Sequence, residues 1–143
     1  NTILFPYALG GENKTVKMGM PIKDGVVHHG MTKIASTAQE EYAFFFDVEM
    51  KKPSDLLSDL ETIDFIKCDV EGYEHVIFGH LTDLLLKHKP KIQTELGGKE
   101  NREKTITLLE SLGYKTYILQ NNSLISADIS TKKNYSSDFY FIL

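Results

Sequence analysis

The sequence has one cysteine, fewer basic than acidic residues and no long apolar run, and each of these features excludes a class of protein. The single cysteine, Cys68, excludes an intramolecular disulfide and is typical of a reducing compartment, so we expect a cytoplasmic location. A formal net charge of −4 leaves no basic surface for a nucleic-acid backbone. No apolar run approaches a membrane span, and no signal-peptide pattern is found. We therefore expect neither nucleic acid nor a membrane as a partner.

The composition is that of an ordinary globular domain. Hydrophobic residues make up 41% of the 143 residues and charged residues 25%. A chain of this length buries enough surface for a hydrophobic core without disulfides or metals. We expect residues 1–143 to form a single α/β domain.

Strand and turn signals fill the first fifty residues. Residues 2–9 and 15–20 are β-rich and flank a glycine turn, which predicts a hairpin. Residues 21–39 mix Gly, His, Ser and Thr without a period, which is typical of a long loop. Residues 42–50 form a further strand candidate, and Ser54 is placed to cap a short helix after it.

Strands and helices alternate in the rest of the chain, which predicts an α/β sheet. The expected elements are strand 63–68, helix 74–88, strand 92–96, helix 101–112, strand 114–119 and strand 139–143. Leu84 is expected to face the sheet, and Gly113 to take the left-handed conformation after a helix. The last two strands have no predicted helix between them, so we expect an antiparallel edge at the C-terminal end.

An acidic turn follows the apolar strand at residues 63–68. Ligands of open α/β sheets bind beyond the carboxyl ends of the strands, where Asp69 and Glu71 are expected. A structural role is the alternative for two of these acids. Stabilisation of the positive end of a helix explains Glu74 well and Glu71 acceptably. Glu95 ends the next strand and faces the same crevice if the register allows it. Such carboxylates hold a hard cation or accept a proton from a hydroxyl.

The octapeptide KCDVEGYE at residues 67–74 also carries a family resemblance. It resembles the signature of FkbM-type S-adenosylmethionine-dependent methyltransferases, a pattern of hydrophobic-Lys-x-Asp-hydrophobic-Glu-Gly-x-Glu. The resemblance implies a Rossmann-like methyltransferase sheet, mostly parallel with one reversed strand. It also implies O-methylation of a hydroxyl on a small molecule or sugar, with Asp69 and Glu71 as catalytic residues. Ala8, Leu9 and Asp69 would border the S-adenosylmethionine site, and no metal ligand is implied.

The part of the family domain that binds the methionine end of the cofactor has no counterpart here. Gly10 and Gly11 are followed by polar residues instead of a helix, so we expect a C-terminal fragment that lacks the N-terminal strands of the sheet. Such a fragment is expected to bind S-adenosylmethionine weakly and to form homodimers through its exposed sheet edge. The alternative is a non-catalytic α/β module whose acidic crevice binds a cation or a sugar.

Overall fold

The computed structural model describes residues 2–35, 41–135 and 137–143. Their contacts divide the chain into two compact units, Asn1–Lys52 and Pro53–Leu143. Each unit has its own mixed β-sheet, and the α-helices that the structure describes belong to the second unit. The chain is therefore a mixed α/β protein, and the expectation of a single domain stays a prediction.

The first unit is a β-structure built on two long strands. Strand β2 (Lys14–Lys23) runs antiparallel to strand β5 (Tyr42–Lys51), with Lys14 opposite Met50. The short strands are β1 (Ala8–Leu9), β3 (Val26–Val27) and β4 (Lys33–Ile34), and a 3-10 turn spans His29–Met31. Strand β1 pairs with β5 in parallel, while β3 and β4 pair antiparallel with β2.

Two expectations for this unit are wrong. Residues 2–9 do not form a hairpin with residues 15–20, because β2 pairs with β5 instead. At Gly10 the chain passes close to β5, where a Cβ would lie 2.2 Å from the Met50 sulfur. The loop predicted at residues 21–39 contains the end of β2, strand β3 and strand β4, and its residues 36–39 lie outside the described residues. The missed signal is Asp24-Gly25, whose left-handed backbone is typical of a tight hairpin turn.

The second unit contains five α-helices and five β-strands among its described residues. The helices are α1 (Pro53–Leu57), α2 (Glu74–Gly79), α3 (Thr82–His88), α4 (Lys99–Ser111) and α5 (Ile129–Asn134). The strands are β6 (Phe65–Cys68), β7 (Lys91–Glu95), β8 (Lys115–Gln120), β9 (Ser123–Ser126) and β10 (Asp138–Ile142).

The strand order of the second sheet is β6-β7-β10-β8-β9. Strands β6 and β7 are parallel, and β10 is antiparallel to both β7 and β8. Three strands, β6, β7 and β8, therefore run in one direction. The described strands of this sheet include two reversed ones where one was expected: β10 is internal, and β9 forms the edge, antiparallel to β8. Phe139 and Phe141 of β10 are fully buried, which an internal strand explains.

The helical stretches differ in detail from the predicted ones. Helix 74–88 is two helices, since α2 ends at Gly79 and α3 begins at Thr82. Ser54 is not a cap, because α1 already begins at Pro53, a residue suited to the first helical position. Gly113 has a φ of 96° after α4, which confirms its predicted left-handed conformation. Helix α5 was not predicted; Asp128 caps it by accepting the Thr131 N–H at 2.7 Å.

Only one face of the second sheet carries the core. The side chains of Cys68, Ile92, Thr94, Phe139 and Phe141 point to that buried face. The opposite face is more exposed and includes Lys67 on β6 and Gln93 on β7. Strand β6 has one neighbouring strand among those described, so its other edge is open. The expected homodimer through this edge stays a prediction.

Adjacent leucines of α3 provide a test of this packing. Leu85 is fully buried, Leu86 is 51% exposed, and Leu84, predicted to face the sheet, is only half-buried. Leu85→Ala should lower the free energy of unfolding by about 2–5 kcal/mol, because it leaves a cavity in the core. Chemical denaturation of Leu86→Ala is the matched control, and equal losses in the two variants would contradict this helix orientation.

Candidate functional site

The end of strand β6 brings Asp69 to the carboxyl edge of the second sheet. The Lys67 Nζ atom lies 2.9 Å from Asp69 Oδ2, and the Asp69 side chain is 44% exposed. This ion pair accounts for one oxygen of the carboxylate and links Asp69 to a residue of the strand that precedes it. The structure therefore gives Asp69 a defined electrostatic partner as well as its predicted position after the strand.

Lys67 is the centre of a cluster of carboxylates on the exposed face. Its pKa is raised, first by the hydrogen bond to Asp69 and then by the charge of the same group, with smaller contributions from Asp138 and Glu95. Glu95 and Asp138 are register partners on β7 and β10. Gln93 holds this arrangement by donating to Asp138 Oδ2 at 2.6 Å. The charges of Asp69, Glu95 and Asp138 thus all favour the protonated form of Lys67.

The acidic turn after Asp69 has an unusual backbone. Glu71 and Gly72 both have positive φ angles, 53° and 93°. Glycine accepts this conformation readily, whereas a residue with a Cβ is strained there. The turn is held by Glu74 Oε1, which accepts the backbone N–H of Val70 at 3.1 Å and of Gly72 at 3.3 Å. The Glu74 side chain therefore stabilises the turn that contains Glu71.

The same glutamate joins the turn to the segment after β7. Glu74 is 1% exposed, and its Oε2 accepts Nδ2–H of Asn101 at 2.5 Å. Asn101 lies in the first turn of α4 and also donates to the Gly97 carbonyl at 3.1 Å. A buried carboxylate needs such donors to offset the loss of its water. The ends of β6 and β7 are consequently connected by one hydrogen-bonded side-chain network.

His75 is the third member of this network. The Asn101 Oδ1 atom accepts the backbone N–H of His75 at 3.2 Å and lies 3.1 Å from the ring atom Nδ1. The His75 ring also lies edge-on to Tyr73, with 6.5 Å between ring centroids. His75 is the second residue of α2, directly after Glu74, so the helix and the network together fix its ring.

An open cavity of about 660 Å³ lies between the acidic turn and the start of α4. This volume is in the range of small-molecule sites. A Cβ placed on Gly72, Gly97 or Gly98 would meet nothing within 4 Å, so a ligand could approach the backbone there. The lining residues are Glu71, Gly72, His75, Gly97, Gly98, Lys99, Glu100, Asn101 and Lys104.

The structure separates the residues that the sequence predicted for the site. Glu71 lines the cavity, while Asp69 is paired with Lys67 on the exposed face and Glu95 is exposed at the end of β7. Ala8 and Leu9 form β1 in the first unit, so their assignment to a cofactor site stays a prediction.

Sequence reasoning missed His75 and Asn101. Neither residue stands in a sequence pattern that indicates a functional role. The pattern around His75 is typical of a surface histidine on a helix, and that around Asn101 of an ordinary helical residue. The available signal was Gly97-Gly98 directly after a strand, which marks a close approach of the backbone.

In the part of the chain that the structure describes, no group of three His, Cys, Asp or Glu side chains is placed to hold a metal ion. No α-helix among the described residues combines the length and the apolarity that a bilayer crossing requires.

A comparison with protein-family models matched residues 19–116 of this chain to the Methyltransferase FkbM domain. The chain belongs to the FkbM methyltransferase family. The match covers more than half of the 143 residues and includes the octapeptide, the parallel strands β6 and β7, and α4. Family membership indicates a methyltransferase. No curated protein and no solved structure matched the chain.

Cys68 of this FkbM-family chain stands beside the site but is buried and unpaired. Burial, with smaller contributions from the charges of Glu74 and Asp69, raises the pKa of its thiol to about 12. The thiolate is the reactive form, so the environment disfavours a nucleophile. The sequence-based expectation of a small buried hydrophobe agrees with this environment.

Cys68 should therefore be inert in the folded protein. At pH 8 an aromatic disulfide reagent should label it far more slowly in buffer than in denaturant. The neutral thiol also stabilises the fold: its contribution is full below the unfolded pKa of 9.0 and is lost as the pH rises toward about 12. Labelling in buffer as fast as in denaturant would contradict this environment, and Cys68→Ala controls for reaction elsewhere.

Proposed function

We propose that this protein is an S-adenosylmethionine-dependent O-methyltransferase that acts on a hydroxyl of a small molecule or sugar. The observation that carries the proposal is the acidic turn at the carboxyl end of β6, whose residue Glu71 lines an open cavity. Family membership supports the reaction class. The position supports the site, because ligands of such sheets bind beyond the carboxyl ends of parallel strands.

The residues described fit the acceptor side of this reaction better than the methionine end of the cofactor. The cavity and its carboxylate suit a hydroxyl-bearing molecule. Gly10 and Gly11 instead lead into strand β2, whereas the glycine-rich turn of a nucleotide site leads into a helix. We propose that Ala8, Leu9 and Asp69 border the cofactor in the complete gene product. S-adenosylmethionine supplies a methyl group activated by the sulfonium.

The proposed work of the chain is to position the acceptor. Methyl transfer needs the hydroxyl oxygen held in line with the methyl group and a group that takes up the hydroxyl proton. Asp69 is proposed to orient or deprotonate the hydroxyl, with Glu71 supporting it from the wall of the cavity.

The open edge of β6 and the single buried cysteine support two further proposals. An unpaired strand edge favours association, so we propose a homodimer through β6. A lone unpaired thiol is usual in a reducing compartment, so we propose a cytoplasmic location.

Asp69→Asn tests the proposed role in the complete gene product. The substitution keeps the size of the side chain and removes its charge. Turnover with S-adenosylmethionine and a hydroxyl acceptor should fall by about 10²–10⁴-fold, because orientation and proton transfer are both impaired. Binding of the cofactor, measured by calorimetry, should change little. Asp83→Asn, in the first turn of α3, is the matched control.

Three other outcomes would give Asp69 a different role. Partial recovery of activity with excess magnesium would mean that it holds a cation. A lower melting temperature at unchanged specific activity would make it a structural partner of Lys67. A wild-type protein that binds sugars but transfers no methyl group would favour the non-catalytic binding module.

A further inference from the structure

The hydrogen bonds of Asn101 fix which way its amide points. Its Nδ2 lies 2.5 Å from Glu74 Oε2 and 3.1 Å from the Gly97 carbonyl, and both of those atoms are acceptors. The nitrogen must therefore occupy that position, because a carbonyl oxygen there would face two acceptors. The other amide atom, Oδ1, is an acceptor only, and it faces His75.

This orientation fixes the tautomer of His75. An atom that only accepts, 3.1 Å from Nδ1, requires that Nδ1 carries the ring proton. In the neutral ring, Nε2 is then the nitrogen with the lone pair. The hydrogen bond turns Nδ1 toward Asn101, while the ring forms part of the cavity wall with Glu71. The chain thus holds an imidazole in the state that accepts a proton.

We propose that His75 is the catalytic proton acceptor of the cavity and that Asn101 and Glu74 are its positioning residues. This inference rests on the proposed function and deepens it. The acceptor hydroxyl donates to Nε2; as the oxygen–methyl bond forms and the sulfur–methyl bond breaks, the hydroxyl proton passes to Nε2. Bound S-adenosylmethionine would supply the methyl group and leave as the neutral thioether, and the His75 imidazolium would return its proton to solvent.

The lining of the cavity indicates the class of acceptor. The charged side chains that face it are Glu71, Lys99, Glu100 and Lys104, and the Lys104 Nζ atom lies 2.6 Å from Glu100 Oε1. The Lys104 hydrogen bond lowers the pKa of Glu100, with a smaller effect from His75. Paired charges and open glycine backbone suit a neutral molecule with several hydroxyls better than an anion. About 660 Å³ accommodates a sugar.

His75 is better placed than Asp69 to take the proton. The Asp69 carboxylate has the Lys67 ammonium at 2.9 Å and does not line the cavity, whereas His75 lines it and the one polar contact of its ring found in the described residues is at Nδ1. Asp69 then keeps its ion pair with Lys67 and takes no proton.

The first test is the tautomer, which requires neither ligand nor activity. Nitrogen NMR of the histidine-labelled complete gene product, at a pH where the rings are neutral, should show His75 protonated at Nδ1 with a lone pair on Nε2. His80, at the end of the same helix, is the internal control. A proton on Nε2 of His75 would overturn the proposal.

The second test separates catalysis from structure with two substitutions. His75→Asn keeps a donor near the position of Nδ1, so it preserves the bond to Asn101 and removes Nε2. His75→Gln reaches the position of Nε2 and loses that bond. A catalytic base predicts a fall in kcat of about 10²–10⁴-fold for both variants. A structural residue predicts that His75→Asn retains wild-type activity and melting temperature.

A histidine outside the cavity wall completes the test. His80→Asn should turn over at the wild-type rate, because His80 does not line the cavity. If His75→Asn folds and turns over within threefold of wild type, this inference fails while the proposed function stands. If the wild type transfers no methyl group, the proposed function fails, and the tautomer measurement alone decides whether His75 is held as an acceptor.

Discussion

The buried carboxylate of Glu74 is the interaction on which the arrangement at the carboxyl edge of the second sheet depends. It accepts two backbone N–H groups of the acidic turn and the amide of Asn101, and its side chain is almost fully removed from water. A charged group so buried is tolerated only when donors replace its hydration. Hydrogen bonds to charged groups contribute about 1.5–3 kcal/mol each. The turn, α2 and α4 are therefore held by one residue.

The hydrogen bonds of Glu74 also explain why three acidic residues so close in sequence do not destabilise the fold by charge repulsion. Each carboxylate with a described partner has a different one: Lys67 for Asp69, and the backbone with Asn101 for Glu74. The partners lie on opposite sides of the chain, since Lys67 is on the exposed face of the sheet and Asn101 is buried against the helices. Like charges close in sequence are thus separated by their environments, which is also how carboxylates acquire distinct roles.

Local patterns predicted the elements around the site well, because they depend on neighbours in sequence. The strands ending at Cys68 and Glu95, helix α4 and the left-handed Gly113 all follow from periodicity and cap signals within a few residues. The Glu74–Asn101 bond joins residues 27 positions apart, so no local pattern indicates it. The internal place of β10 was missed for a similar reason, since strand order is decided by the burial of Phe139 and Phe141 across the sheet.

The backbone of Glu71 indicates which side of this edge is suited to chemistry. A left-handed residue with a Cβ costs roughly 1–2 kcal/mol and persists only where its surroundings impose it. The surroundings that impose it here are the bonds from Val70 and Gly72 to Glu74, and the strained residue forms part of the cavity wall. The same glutamate orients Asn101, which orients the ring of His75. The strained turn therefore places the carboxylate of Glu71 and the imidazole of His75 at one cavity. This arrangement favours the cavity as the place of the reaction over the exposed cluster around Lys67.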